Sequence, residues 1–208
     1  TEASAMYLAK RIWEDKAITL PVTHLITNVN VIDGTGLAAF PASVRIVDDR
    51  IRDIGPLTPF VNEEVTDGQG KILAPGFIDS HSHHGSGLDD DPSALAATSQ
   101  GITTIVIGQD GSSDPIDSIR ASIQRHPVSI NLATYTGQST LREAAMKDEV
   151  SRKATVAEID SMKVVLAREL DNGSLGLSTG LEYEAAFYSS PEEGVELSKV
   201  AAEKGGRY

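Results

Sequence analysis

In the stretch Gly101-Ile-Thr-Thr-Ile-Val-Ile107, every residue after the glycine is β-branched, and apolar and polar positions do not alternate. A strand of that kind is buried on both faces, as happens in a parallel sheet with helices on each side. The neighbouring chain offers those helices. Pro92 to Gln100 reads as a helix with Asp91 as its N-cap, and Pro115 to Gln124 as a second. Further strands are expected at Phe77 to Ser80, Val128 to Thr134 and Leu175 to Ser178. Thr155 to Leu170 is a strong helix, with Val156, Ile159, Met162, Val165, Leu166 and Leu170 on one side, closing near Asn172-Gly173. Pro191 to Lys204 is another helix, and Gly206 to Tyr208 begins a strand. This repetition predicts an α/β fold around a parallel sheet, either open or closed into a barrel. Four or five such units amount to about half of an eightfold barrel. A strand that starts at the last residues predicts a piece of a longer protein, or one part of a nicked one.

Upstream of Pro75 the texture is different. His24 to Ile32 is rich in β-branched residues and stops at Asp33-Gly34. Ser43 to Val47, a turn at Asp48-Asp49, and the alternating Arg50 to Ile54 follow, then Glu64-Val65 and Lys71 to Leu73. Short strands at this spacing predict a small antiparallel β module. Met6, Leu8, Ile12 and Trp13 suit a short amphipathic helix that ends at Leu20-Pro21. The chain therefore divides into an N-terminal helical extension over 1–22, a β module over 23–75 and an α/β region over 76–208.

Charge and cysteine content narrow the functions. The formal net charge is −12, which argues against a nucleic-acid partner or an anionic membrane, since both need clustered Lys and Arg. No apolar run is long enough to cross a bilayer, and Thr1 to Ala5 has no signal-peptide character. The expected location is the cytoplasm; a leader already removed is the other reading. There is no cysteine, so disulfides, thiol nucleophiles and thiolate metal ligands are all excluded from the sequence given.

Of the five histidines, three fall at His81, His83 and His84, directly after the strand that begins at Phe77. Alternate residues of an extended segment point to the same side. His81 and His83 can thus aim both imidazoles at one point at the C-terminal mouth of a barrel strand, where such folds keep their active sites. A His-x-His pair there is a natural site for zinc or a similar divalent ion, with His84 turned away. Asp79 shares the phase of His81 and is a candidate to orient an imidazole or to be buried in the strand pairing. His24 and His126 have no partner in sequence and read as structural.

The segment Ala74-Pro-Gly-Phe-Ile-Asp-Ser-His-Ser-His83 resembles the opening motif of the amidohydrolase superfamily. Leu25 to Gly36 is similar to the N-terminal strand and turn of the same proteins. Gly101 to Gly108 and Gly176-Leu-Ser-Thr-Gly-Leu-Glu-Tyr183 are similar to the D-aminoacylase branch, the N-acyl-D-amino-acid deacylases. The resemblance runs from about His24 to the end. It implies a small β-sandwich, part of a composite domain, fused to a metal-dependent (β/α)8 barrel of which this chain holds the first half. The activity implied is hydrolysis of the amide of an N-acylated D-amino acid by a metal-activated water, with one or two ions, most simply zinc. The branch would take its other histidine ligands and its general-base Asp from beyond Tyr208, so the resemblance places no catalytic acid or base in this chain. The remaining C-terminal half of the barrel, in the same or a nicked chain, is then a required partner, and a homo-oligomer is compatible with the family.

Two positions depart from the branch. Gly108-Gln-Asp-Gly111 stands where these enzymes usually read Gly-Asn-Cys-Gly with a ligating Cys, so the resemblance makes Asp110 the third ligand, and a harder one. Capping the helix near Pro115 is its alternative role. Gln138 occupies a usual His position and cannot carry a proton at neutral pH. The resemblance also offers Tyr183 and Glu182 as substrate-binding residues, although Tyr183 equally suits a half-buried structural tyrosine. The competing functions are a cyclic amidase or isoaspartyl-dipeptidase-like amidohydrolase, and an inactive metal-binding module.

Overall fold

A computed structural model describes residues 22–208; the helix expected over 6–18 lies outside them. The chain divides at Pro75 into two compact units.

In the first unit, β1 (Thr23–Val31), β2 (Phe40–Val47), β3 (Arg50–Gly55), β4 (Glu64–Asp67) and β5 (Ile72–Leu73) form one sheet in the order β3-β2-β1-β4, with β5 also on β1. The antiparallel expectation holds only for β1 with β2 and β2 with β3. Both β4 and β5 run parallel to β1, so the sheet is mixed. Alternation in sequence reports which face a residue takes, not the direction of its neighbour, and here a loop carries the chain from edge strand β3 back to the far side of β1. Arg45 fastens that loop. Its buried guanidinium donates to Glu63 at 2.7 and 3.0 Å and to the Thr58 carbonyl at 2.7 Å, and lies 3.7 Å over the Phe60 ring. The Arg45 hydrogen bonds hold the Glu63 carboxyl below the usual carboxylate range. Val29, Val31 and Val44 are the core of this unit. Among the described residues of this unit there is no second sheet, as a sandwich needs.

The second unit is built on parallel strands. β6 (Phe77–Asp79), β7 (Ile102–Ile107) and β8 (Asn131–Thr134) lie side by side, all parallel. β9 (Thr136–Gly137) and β10 (Leu177–Ser178) form a separate parallel pair, and an isolated parallel bridge joins Gly176 to Arg207. Within each of these two sheets a strand pairs in parallel with the one before it in the chain, as the sequence predicts for an α/β sheet.

The helices are α1 (Leu95–Thr98), α2 (Ile116–Arg125), α3 (Gln138–Met146), α4 (Val156–Asp171), α5 (Glu184–Phe187) and α6 (Pro191–Glu203). The one expected over 92–100 shrinks to α1. Its N-cap is Ala94, not Asp91 as expected, because the helix starts only at Leu95. The Asp91 carboxylate instead organises the loop before it, accepting from the Ser93 hydroxyl and from the N–H groups of Ser93 and Leu95 at 3.1 and 3.0 Å, which holds its pKa below the usual range. α3 has no signal of its own in sequence, because Gly137 precedes it without a capping side chain. α4 opens on a full capping box between Thr155 and Glu158. Its Met162 and Leu166 pack with Leu141, Leu177 and Leu197 in the main core, while Ile105 and Ile130 anchor a second cluster. No helix among the described residues is long and apolar enough to cross a membrane.

α3 and α6 are also joined by a buried ion pair. Arg142 and Glu193 are both fully buried and bonded to each other, and Arg142 donates further to the carbonyls of Val150 (2.9 Å) and Arg152 (2.5 Å). Replacing Glu193 by Ala strands a buried guanidinium, and such losses cost about 3–5 kcal/mol. Urea denaturation should show Glu193→Ala destabilised by that order, and an unchanged midpoint would contradict the burial.

Candidate metal centre

β6 and β7 run parallel, so their C-terminal ends emerge at the same edge of the sheet. The segment after β6 is held in place by main-chain bonds. Ser82, buried, donates its N–H to the Val106 carbonyl at 2.9 Å, which turns its neighbours His81 and His83 the other way, as alternation requires. The two imidazoles have ring centroids 5.4 Å apart. Across from them, the loop after β7 presents Asp110, whose Oδ2 lies 3.4 Å from His81 Nε2 and 3.1 Å from His83 Nε2. One nitrogen from each histidine and one carboxylate oxygen all fall within 4.8 Å of one another. Among the described residues no other group of His, Asp and Glu converges in this way.

Each neighbouring residue takes a definite role. Asp79 accepts from the His81 main-chain N–H at 3.2 Å, so it fixes the backbone of the first histidine and not an imidazole. His84 is exposed at the start of a short 3-10 turn and lies outside the cluster. Gln109, which sequence reasoning passed over, donates to the Ser80 carbonyl at 2.9 Å and ties the Asp110 loop to the histidine segment. No local pattern marks that contact, because its partner is on a different strand end. His24 bonds Thr66 within the β unit at 2.8 Å. His126 forms the C-cap of α2.

A cleft of about 900 Å³ opens beside the cluster, with His83, Gln109, Asp110 and Tyr183 in its lining. Tyr183 reaches it through a tight turn in which its N–H bonds the Gly180 carbonyl at 3.0 Å. Glu182, one residue earlier on that turn, is exposed and is not part of the cleft wall. Gln138 is also elsewhere. It is fully buried, and its Nε2 donates to Glu193 Oε1 at 2.7 Å, which makes it part of the ion pair that joins α3 to α6.

No family model matches the chain. It is 31% identical to a D-aminoacylase from Alcaligenes xylosoxydans xylosoxydans, over 90% of this chain and 44% of that protein. It is 33% identical to an N-acyl-D-glutamate deacylase of the same organism, over 84% of this chain and 40% of the relative. Among solved structures, an N-acyl-D-glutamate deacylase from Bordetella bronchiseptica, complexed with zinc and a phosphonate inhibitor, superposes with a TM-score of 0.82 at 34% identity, covering 87% of this chain and 43% of that one. A D-aminoacylase with a binuclear metal centre gives 0.78 at 31% identity, covering 88% and 44%. The likeness read from the motifs therefore extends to the fold, and the chain spans less than half the length of these relatives.

The Asp110 loop leaves no room for side chains at its base. Gly108 has φ +75°, and a Cβ there would lie 2.3 Å from the Tyr135 carbonyl oxygen. A residue forced into such a conformation costs on the order of 1–3 kcal/mol. Gly108→Ala should lower the unfolding free energy by at least that order in thermal or urea denaturation; full stability would contradict the close approach.

Proposed function

We propose, from a chain similar in sequence and fold to the D-aminoacylase branch of the amidohydrolases, that it supplies the first ligands of a divalent metal site for hydrolysing N-acyl-D-amino acids. One observation carries this reading: His81 Nε2, His83 Nε2 and Asp110 Oδ2 converge on a single point at the mouth of the parallel strands. The donor set fits such an ion, since two imidazoles and a carboxylate are competent ligands for zinc, and the carboxylate favours harder divalent metals than a thiolate would. Bound there, the metal would supply Lewis acidity to the acyl carbonyl and activation of the attacking water.

The remaining roles fall to the protein. His81, His83 and Asp110 hold the ion, and Gln109 and Asp79 keep the segments that carry them in register. Tyr183, on the cleft wall, is the candidate to orient the acyl group and to donate its hydroxyl to the oxyanion that develops in the reaction. Glu182 has no part in this reading, since it is exposed and does not line the cleft. Gln138, buried and bonded to Glu193, is read here as part of the packing between α3 and α6 rather than of the cleft.

In this reading the second unit is the first half of a (β/α)8 barrel and the first unit one layer of a composite β-sandwich. The general base and the other ligands then come from the C-terminal half of the barrel. Phe77 and Ile78 on edge strand β6, both about two-thirds exposed, are the apolar surface that further strands would cover.

The test is made on the intact protein with N-acetyl-D-amino acids and their L-enantiomers. His81→Ala and His83→Ala should each abolish zinc binding and reduce D-selective hydrolysis by at least about 100-fold, beyond the effect of losing an outer-shell partner. Undiminished hydrolysis by either variant would sink the assignment.

A further inference from the structure

The loop that carries Asp110 is backbone of an unusual kind. Gly108, Asp110 and Gly111 have φ of +75°, +57° and +81°, so three of its four residues are left-handed, and one of them is not glycine. Such a conformation persists where the surroundings over-determine it. A single hydroxyl spans this loop from end to end. Ser178 Oγ donates to the Gly108 carbonyl at 2.5 Å and accepts the Gly111 N–H at 3.3 Å. Ser178 belongs to β10, which pairs with β9 and not with β7, the strand that leads into the loop. Two residues on, Gly180 packs directly against the ligand-bearing residue: a Cβ there would stand 2.2 Å from the Asp110 carbonyl oxygen. From the other flank, a Cβ on Gly137 would stand 2.2 Å from the Gly111 carbonyl oxygen.

We infer that Ser178 is a positioning residue for the metal site, its hydroxyl setting where the Asp110 carboxylate stands relative to His81 and His83. The inference rests on the reading of those three residues as ligands. Ser178 itself touches neither ion nor substrate; it acts through the backbone of the loop. It also gives the stretch Gly176 to Tyr183 a physical task. Ser178 clamps the loop from one side, Gly180 admits it at van der Waals distance, and Tyr183 closes the cleft beside it. Gln109 performs the complementary task toward the histidines through Ser80. Asp110 is therefore held at both its neighbours, by one side chain reaching out of the loop and one reaching into it.

The experiment measures zinc affinity of the intact protein by competition with a chelating dye, together with the visible spectrum of the cobalt(II)-substituted form and the apo-protein thermal midpoint. Ser178→Ala should weaken zinc binding about 10- to 100-fold, as outer-shell losses do, and shift the cobalt bands. Ser178→Thr keeps the hydroxyl and should stay within a few-fold of wild type. In an Asp110→Ala background, Ser178→Ala should have almost no further effect on affinity, since residues acting through one another are non-additive. Wild-type affinity in Ser178→Ala, or an equal further loss in the Asp110→Ala background, would overturn the positioning role. If the wild-type protein binds no zinc or cobalt, the ligand reading itself falls, and this inference with it. Should Ser178→Ala not fold, Ser178→Cys, nearly isosteric but a weaker donor, replaces it with the same expectations.

Discussion

Two strands that pair in parallel finish at the same edge of their sheet, so residues just beyond them can meet without any reversal of the chain. The pairing of β6 with β7, with Ile78 beside Thr104 and Asp79 beside Ile105, has this consequence for His81, His83 and Asp110. The histidines leave the end of one strand and the carboxylate leaves the end of the next. Ser82 and Gln109 then lock the two exits together, one through the Val106 carbonyl and one through the Ser80 carbonyl. If that ladder slipped by a single residue, the alternation would turn both imidazoles toward the interior and bring Ser82 out. The convergence of three ligand atoms is thus a property of strand register before it is a property of the side chains.

The register is defended at some distance from the site. The main core gathers Leu141, Met162, Leu166, Leu177 and Leu197 from β10, α3, α4 and α6, so the strand that supplies Ser178 is anchored by a fully buried leucine next to it. The Arg142–Glu193 pair, with Gln138 attached, fixes α3 directly beyond β9. Buried ion pairs of this kind add less net stability than their geometry suggests, but they are severe on alternatives that would leave a charge unpaired. Specificity of arrangement is what a site built from strand ends requires. The same logic explains why the Asp110 loop is bordered by Gly108, Gly137 and Gly180, since each admits backbone where a methyl group would push the loop outward.

The sequence disclosed these features unequally, for physical reasons. His81 and His83 were legible because their relation is local: two residues apart on an extended segment. Asp110 was legible only by resemblance, as nothing within the loop says that it faces a histidine from another strand. Gln109 and Ser178 were not legible at all, because their partners lie on other strand ends and depend on the tertiary pairing. Gln138 stood out as a departure from a motif, yet its surroundings make it a packing residue. In the β unit, the strand positions followed from alternation, but the parallel placement of β4 and β5 did not, since a strand's residues carry no record of its neighbour's direction. Helix α4 was legible to within one residue at each end from its apolar stripe, which is written locally, although Val156, expected on that stripe, is exposed in its first turn.

Anomalous diffraction at the zinc edge from crystals of the intact protein tests the central claim most directly. The account predicts an ion about 2.0–2.2 Å from His81 Nε2, His83 Nε2 and an Asp110 carboxylate oxygen. An ion bound elsewhere, with the two imidazoles and the carboxylate left uncoordinated, would contradict it.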